Sequence, residues 1–316
     1  MLHSILVPLD GSRFAEYALP IATGLAGAAG ARLRLLMVHE PMMALVPAVD
    51  FPIGIGVDDL GARVEAQTYL AETALELGSV GSRPVTYEMA DGLAASTIED
   101  AVTSTPPDLI VMSTHGRGML SRFWLGSVAD HLVRHVSVPI LLLRPRDGAD
   151  FPPPRLDLRR ILVPLDLSGT SEAILGPVKA LAQVTQAHLT LLHVVEPILG
   201  TGGRFSPVAI AQQLAARRTD AQEHLDSVAD RLRAEGFRVA ARVVVTSGIA
   251  TTILGRLEDD RYDLVAMATH GAGGGRRLLL GSVTDKVIRG GTKPVLVYRP
   301  IALPPPRQAS TSNESW

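Results

Sequence analysis

The sequence predicts an α/β fold built twice over: two tandem doubly wound domains, each a five-stranded parallel sheet with helices on both faces. Three observations carry this prediction. The chain repeats itself at an almost constant offset. Each half alternates strand-like apolar runs with helical segments five times. Aromatic residues make up only 4 % of the 316 residues, so the cores must be built from Val, Leu, Ile and Ala. That composition suits a parallel sheet buried on both faces.

The repeat is explicit. Ser4-Ile-Leu-Val-Pro-Leu-Asp10 returns as Arg160-Ile-Leu-Val-Pro-Leu-Asp166, an offset of 156 (166 − 10). Thr114-His115-Gly116 returns as Thr269-His270-Gly271, and Gly126-Ser127-Val128 as Gly281-Ser282-Val283, both at 155 (269 − 114). Chance matches would scatter, so the halves are duplicates. The expected domains are residues 1–146 and 158–300. The linker 147–157 contains three consecutive prolines, Pro152 to Pro154, which neither helix nor central strand accommodates. Residues 301–316, rich in Pro, Ser and Thr, read as a disordered tail.

Within the first copy, the apolar run Ile5 to Leu9 reads as a strand buried on both faces. Ser12 suits a helix cap, and one helix is expected from there to Gly27. A strand follows over Ala31 to His39. A loop rich in Pro, Gly and Met covers 41–57. Next come a helix over Val57 to Gly78, a strand from Pro84 to Ala90 and a helix from Ala94 to Thr103. Asp108 to Met112 is a buried strand, Gly126 opens a helix, and Ile140 to Leu143 is the last strand. Alternation of this kind implies parallel strands joined by right-handed crossovers.

Composition excludes several function classes. A formal net charge of −2 offers no field to recruit nucleic acid or an anionic membrane. With no cysteine, disulfides, thiolate catalysis and cysteine zinc sites are excluded. The apolar N-terminal segment is too short for a signal peptide, and no run reaches the ~18–20 residues of a membrane span. A cytoplasmic location is the expectation.

The informative stretch runs from Ser113 to Val128. It follows a buried strand and opens a helix, which is where open α/β sheets bind ligands. Gly116 and Gly126 let the backbone turn and approach a ligand closely. Ser127 is expected to cap the helix, whose first amides suit a phosphate. These glycines would equally serve simply to end a strand and pack a helix. Asp10 stands at the mouth of the sheet, where it suits either a ligand contact or a helix cap. His115 and His270 either touch phosphate or hydrogen-bond the loop backbone, and their spacing matches no zinc motif. Arg117, Arg122, Arg276 and Arg277 neutralise phosphate or are simply solvated. Met42, Met43 and Trp124 suit ligand contact or packing.

On these residues the chain resembles the universal stress protein family, as a tandem two-domain member. Nucleotide-binding members carry Gly-x2-Gly-x9-Gly-Ser/Thr after the fourth strand and an Asp ending the first. The chain departs at the first motif glycine, which is Ser113 here and Ala268 in the second copy. Both are small enough to keep a backbone contact at negative φ. The resemblance implies a strand order of 3-2-1-4-5, adenine between the first and second strand ends, and phosphates on the Gly-rich loop.

It also implies the binding residues: Pro8, Leu9, Asp10 and Val38 at the strand ends, with Ser113, Thr114, His115, Gly116, Arg117, Gly126, Ser127 and Val128 around the loop. In the second copy these are Pro164, Leu165, Asp166 and Val194, with Ala268, Thr269, His270, Gly271, Gly281, Ser282, Val283 and Thr284. The ligand would be ATP or another adenine nucleotide, with Mg²⁺ or Mn²⁺ near Asp10 and Asp166. The last strands of the two repeats would pair across a pseudo-two-fold axis, leaving the two sites facing outward; a homodimer of such chains is left open.

Three functions compete: a regulatory nucleotide-binding stress protein, a slow ATPase or phosphotransferase, and a dimerisation module with vestigial sites. Against turnover stand the missing P-loop lysine, the missing kinase signature and the lack of a general base near a γ-phosphate.

Overall fold

The computed structural model describes residues 1–40, 57–80, 83–114, 125–145, 157–197, 207–259, 262–269 and 280–300. In chain order, the first repeat comprises β1 (Ser4–Leu9), α1 (Arg13–Glu16), α2 (Leu19–Ala29), β2 (Arg32–His39), α3 (Val57–Leu77), the two-residue β3 (Ser79–Val80) and β4 (Arg83–Pro84), β5 (Thr86–Asp91), α4 (Ala94–Ser104), β6 (Leu109–Ser113), α5 (Ser127–His135) and β7 (Ile140–Leu143). The second comprises β8 (Arg160–Pro164), α6 (Gly169–Glu172), α7 (Leu175–Thr185), β9 (His188–Val195), α8 (Pro207–Ala234), β10 (Arg238–Val245), α9 (Ile249–Glu258), β11 (Leu264–Ala268), α10 (Ser282–Gly290) and β12 (Val295–Tyr298). The expected linker, apart from Asp157, and the tail lie outside the described residues.

Ten of these twelve strands form one sheet in the order β10-β9-β8-β11-β12-β7-β6-β1-β2-β5, and β3 and β4 pair separately. Each half has the 3-2-1-4-5 order of a doubly wound domain, and within this sheet all pairs inside a half are parallel. The halves join where β7 meets β12 antiparallel, with Leu142 opposite Val295, Leu141 opposite Leu296 and Ile140 opposite Val297. Two strands that would each have been an exposed apolar edge therefore cover one another at the centre of the sheet. Because the join is antiparallel, the carboxyl ends of the two sets of strands open at opposite edges.

Alternate side chains feed two core layers, as the period of a strand requires. Ile5, Val7, Leu141, Leu143 and Leu296 belong to one layer, and Leu6, Leu142, Val295 and Val297 to the other. Both layers cross the junction between repeats. At ~1.5–3 kcal/mol per fully buried aliphatic side chain, these strands are a large part of what holds the halves together.

Polar contacts repeat the two-fold relation. Arg144, just past β7, donates to the carbonyls of Arg289 and Gly291 at the end of α10, both at 2.8 Å. Arg299, just past β12, donates to the His135 carbonyl at the end of α5 (2.9 Å). Each repeat thus supplies a cation to the other's helix C-terminus, where the macrodipole favours it. Between the helices, Asp130 binds Arg134 (2.8 Å) and reaches Arg289 (3.5 Å), which in turn binds Asp285 (2.8 Å).

Three local readings need correction. The helix expected from Ser12 to Gly27 is two helices, because Pro20 in the first turn of α2 brings no N–H to the ladder. The strand expected from Pro84 begins at Thr86, since Pro84 instead closes a small antiparallel pair with Ser79. Helix α2 runs to Ala29 and ends in Gly30 at φ 64°, a left-handed cap.

On the helix flank, Tyr69 of α3 donates to the Glu16 carboxylate (3.0 Å). Burial first, then that carboxylate, pushes the phenol above its usual range. The second repeat keeps the carboxylate and changes the partners: Glu172 is held by His224 (2.7 Å) and Arg231 (2.9 Å). Among the described residues no helix is long and apolar enough to cross a membrane.

Candidate functional site

The sheet opens a crevice at the carboxyl end of each half, and a proline explains where. Along β1, backbone groups alternate in direction: the His3 carbonyl accepts from Arg32 on the β2 side, and the Ser4 carbonyl from Asp108 on the β6 side. Even-numbered residues therefore face β6, and Pro8 is one of them. It has no N–H to offer that neighbour. The β1–β6 register stops at Leu6–Ile110, although β1 continues to Leu9 and β6 to Ser113. The second repeat does the same. Pairing of β8 with β11 stops at Leu162–Val265, and Pro164 lies on the face that the Arg160 carbonyl shares with Asp263. This gap between the first and fourth strands of each half is the switch point of the topology.

Asp10 stands at the gap immediately after β1. Its Oδ1 accepts from the Ser12 N–H (2.9 Å) and the Ser12 hydroxyl (2.6 Å). Ser12 Oγ in turn accepts from the Ala15 N–H and caps α1. Asp10 is therefore not the helix cap; it orients the cap. Asp166 and Ser168 repeat the arrangement at 3.0 and 2.5 Å. The residue between them is Gly11 at φ 76° in one copy and Leu167 at φ 67° in the other. A leucine held in left-handed backbone costs roughly 1–2 kcal/mol. The second repeat maintains the Asp-x-Ser turn against that strain, which is the kind of outlier that marks a functional turn.

The far wall is the end of the fourth strand. Ser113 and Ala268 are the last residues of β6 and β11, in extended backbone and buried. Thr114 and Thr269 follow, also buried. The Thr114 N–H donates to Leu143 (2.8 Å) and its carbonyl accepts from Gly126 (2.8 Å); Thr269 is held by Tyr298 (2.9 Å) and Gly281 (2.7 Å) in the same way. These bonds tie the start of α5 and of α10 to the strand end, whatever lies between. The Thr284 hydroxyl, on α10, adds a 2.9 Å bond to the Ala268 carbonyl.

The helix starts differ from the expectation. Gly126 and Gly281 are themselves the caps, at φ −57° and with no side-chain cap bond. Ser127 and Ser282 are the first helical residues and are exposed. They do not cap, because a cap must sit outside the helix in extended backbone and the glycine occupies that place. Nor is glycine required there by conformation, since any residue adopts φ −57°. What glycine supplies is the absence of a side chain over the first amides.

Val38 and Val194 lie near the ends of β2 and β9, packed into one core layer, with Val194 buried and Val38 partly so. Leu9, Leu165 and Pro8 are buried, and Val128 and Val283 are partly buried on the first helical turn. His115, Gly116, Arg117, His270 and Gly271 lie outside the described residues, as do Arg122, Trp124, Arg276, Arg277, Met42 and Met43.

Sequence reasoning passed over one pair. Glu40 accepts from the Ala94 N–H at the start of α4 (2.9 Å), and Glu196 from the Gly248 N–H before α9 (3.0 Å). Both carboxylates stand just beyond β2 and β9 at the same edge as the gap. The signal was present, since Val38-x-Glu40 and Val194-x-Glu196 recur at the offset of 156 (196 − 40).

Comparison with known proteins agrees over most of the chain. The model of the Universal stress protein family matches residues 1–144 and again 157–299. A universal stress protein of Mycobacterium tuberculosis is 29 % identical over 309 residues, covering 94 % of this chain and 97 % of that protein. One from Methanocaldococcus jannaschii is 32 % identical over 155 residues, covering 45 % of this chain and 94 % of its own length. The crystal structure of a universal stress protein from Archaeoglobus fulgidus superposes with a TM-score of 0.64, at 22 % identity, over 94 % of this chain and 96 % of that one. At that identity the likeness is one of fold.

Proposed function

The chain belongs to the universal stress protein family, and on that premise we propose that each repeat binds an adenine nucleotide, whose presence regulates the protein's conformation or its partner contacts. The observation that carries the reading is the crevice built twice: a proline-opened gap, an oriented carboxylate on one side and, on the other, a glycine-capped helix start with no side-chain cap bond among the described residues.

The chemistry follows from those parts. The first amides of α5 and α10 have no side-chain cap among the described contacts, so they offer donors and partial positive charge to a phosphate. Gly126 and Gly281 leave the approach clear. Asp10 and Asp166 each place a serine-oriented carboxylate at the gap, a group whose chemistry fits a ribose hydroxyl or a phosphate-bound Mg²⁺ or Mn²⁺. Val38 and Val194 supply apolar surface for a base. The divalent ion would screen the phosphates beside the carboxylate. Nothing in this set positions a water or abstracts its proton, so the proposed role is binding rather than fast turnover.

Calorimetric titration of the full chain with ATP and Mg²⁺ tests the proposal. Saturable binding in the micromolar range is expected, about −8 kcal/mol at 1 μM, with two equivalents per chain. Absence of binding by ATP, ADP and AMP would leave the crevices as features of folding only.

A further inference from the structure

We propose a second type of site, for a single late first-row divalent cation such as Zn²⁺, formed by Glu99, His131 and His135 of the first repeat. Each offers one ligand atom, and the three atoms lie within 4.8 Å of one another. All three residues are partly buried, with Glu99 and His131 side chains 33 % and 31 % exposed, so an ion could enter while bulk water is partly excluded.

The arrangement is built from two helices. His131 and His135 are four residues apart on α5 and so share one face. Their rings stack with centroids 4.1 Å apart. Glu99 comes from α4, which packs against α5, and its Oε2 lies 2.7 Å from His131 Nε2. Two imidazoles and a carboxylate are a donor set suited to zinc, with a fourth position left for water.

The histidine protonation pattern supports the assignment. His135 Nδ1 lies 2.8 Å from the His131 carbonyl, which can only accept. Nδ1 therefore carries a proton, so in the neutral ring it is Nε2 that presents its lone pair, the arrangement a metal needs from a ligand held by an outer hydrogen bond. Binding would require His131 Nε2 to give up the proton of its contact with the Glu99 carboxylate, to Nδ1 of the same ring or to solvent, before it takes the metal. Ligand atoms on a tetrahedral ion at ~2.0–2.1 Å stand about 3.3 Å apart. The separations must close by at most roughly 1.5 Å, and the stacked rings must turn so that their in-plane lone pairs converge, movements open to side chains about a third exposed.

Two further features set limits. His135 is the last residue of α5, where the helix dipole favours a cation, yet Arg299 already donates to its carbonyl. The affinity expected is thus moderate rather than that of a closed structural zinc site. The second repeat is an internal control: Leu254, Lys286 and Gly290 occupy the equivalent positions at the offset of 155. The stoichiometry expected is one per chain, against two for nucleotide.

The test is titration of chelator-stripped, nucleotide-free full-length protein with ZnCl₂, followed by calorimetry and by the ring-nitrogen resonances of His131 and His135. One equivalent should bind, and both rings should shift. His135→Ala and, separately, Glu99→Gln should each weaken binding by at least about 10-fold, the loss typical even of outer-sphere partners. Glu99→Gln changes one partly exposed group and keeps the test open where His135→Ala misfolds. No saturable binding, or unchanged binding in Glu99→Gln with unshifted His131 and His135 rings, would overturn the proposal. Because the titration contains no nucleotide, its outcome is independent of the crevices.

Discussion

Replacing both Gly126 and Gly281 by valine should abolish adenine-nucleotide binding while leaving the fold intact. At φ −57° and ψ 150° or 140°, valine is conformationally acceptable in either place. Losing a favourable cap residue costs about 1 kcal/mol per helix, which two large cores absorb. The added side chain, however, stands over the first amides of α5 and α10, where the phosphates would dock. The whole binding free energy of about 8 kcal/mol at 1 μM is therefore at stake. Calorimetry of the double variant should give no heat beyond dilution, while thermal unfolding stays cooperative with a midpoint lowered by only a few degrees. Undiminished binding would place the phosphates elsewhere.

A comparably large effect is expected at the junction between repeats. Leu142 and Leu296 are each 1 % exposed, and they lie on opposite faces of the sheet. Leu142→Asp forfeits the ~2–5 kcal/mol of a buried leucine and adds an unpaired buried carboxylate at about 3–5 kcal/mol. That total competes with the entire stability of a domain. The halves should separate or aggregate, and Leu296→Asp should do the same. Solution scattering that shows the native compact shape for either variant would mean that the β7–β12 pairing does not hold the repeats together.

Most of the architecture was legible because its signals are local and doubled. Ile5 to Leu9 and Asp108 to Met112 are continuous apolar runs, as strands covered on both faces must be. The copy at 160–165 confirms the first of them. The pairing of last strands followed from the family resemblance, which places them at sheet edges, with the need to cover an apolar edge as its physical reason.

What was not legible depends on directions that residue types do not encode. Pro8 was readable as a residue of the strand end, but its effect depends on which neighbour its nitrogen faces. Ser127 resembled a cap because serine caps often; which residue stands just outside the helix is fixed by the Thr114–Gly126 bond. Arg144-Pro145 and Arg299-Pro300 recur in the sequence, yet their role needs the other repeat's helix end. His131 and His135 form a visible i, i+4 pair, but only the packing of α4 on α5 brings Glu99 to them.

The central claim is the proposal that each repeat of this chain binds an adenine nucleotide in its crevice. Mass spectrometry of small molecules released on denaturing freshly purified, undialysed protein tests it most directly. The account predicts an adenine nucleotide, at up to two per chain, that is missing from the Gly126→Val/Gly281→Val variant prepared in parallel. Recovery of no nucleotide from the native protein, together with no calorimetric response to added ATP and Mg²⁺, would contradict it.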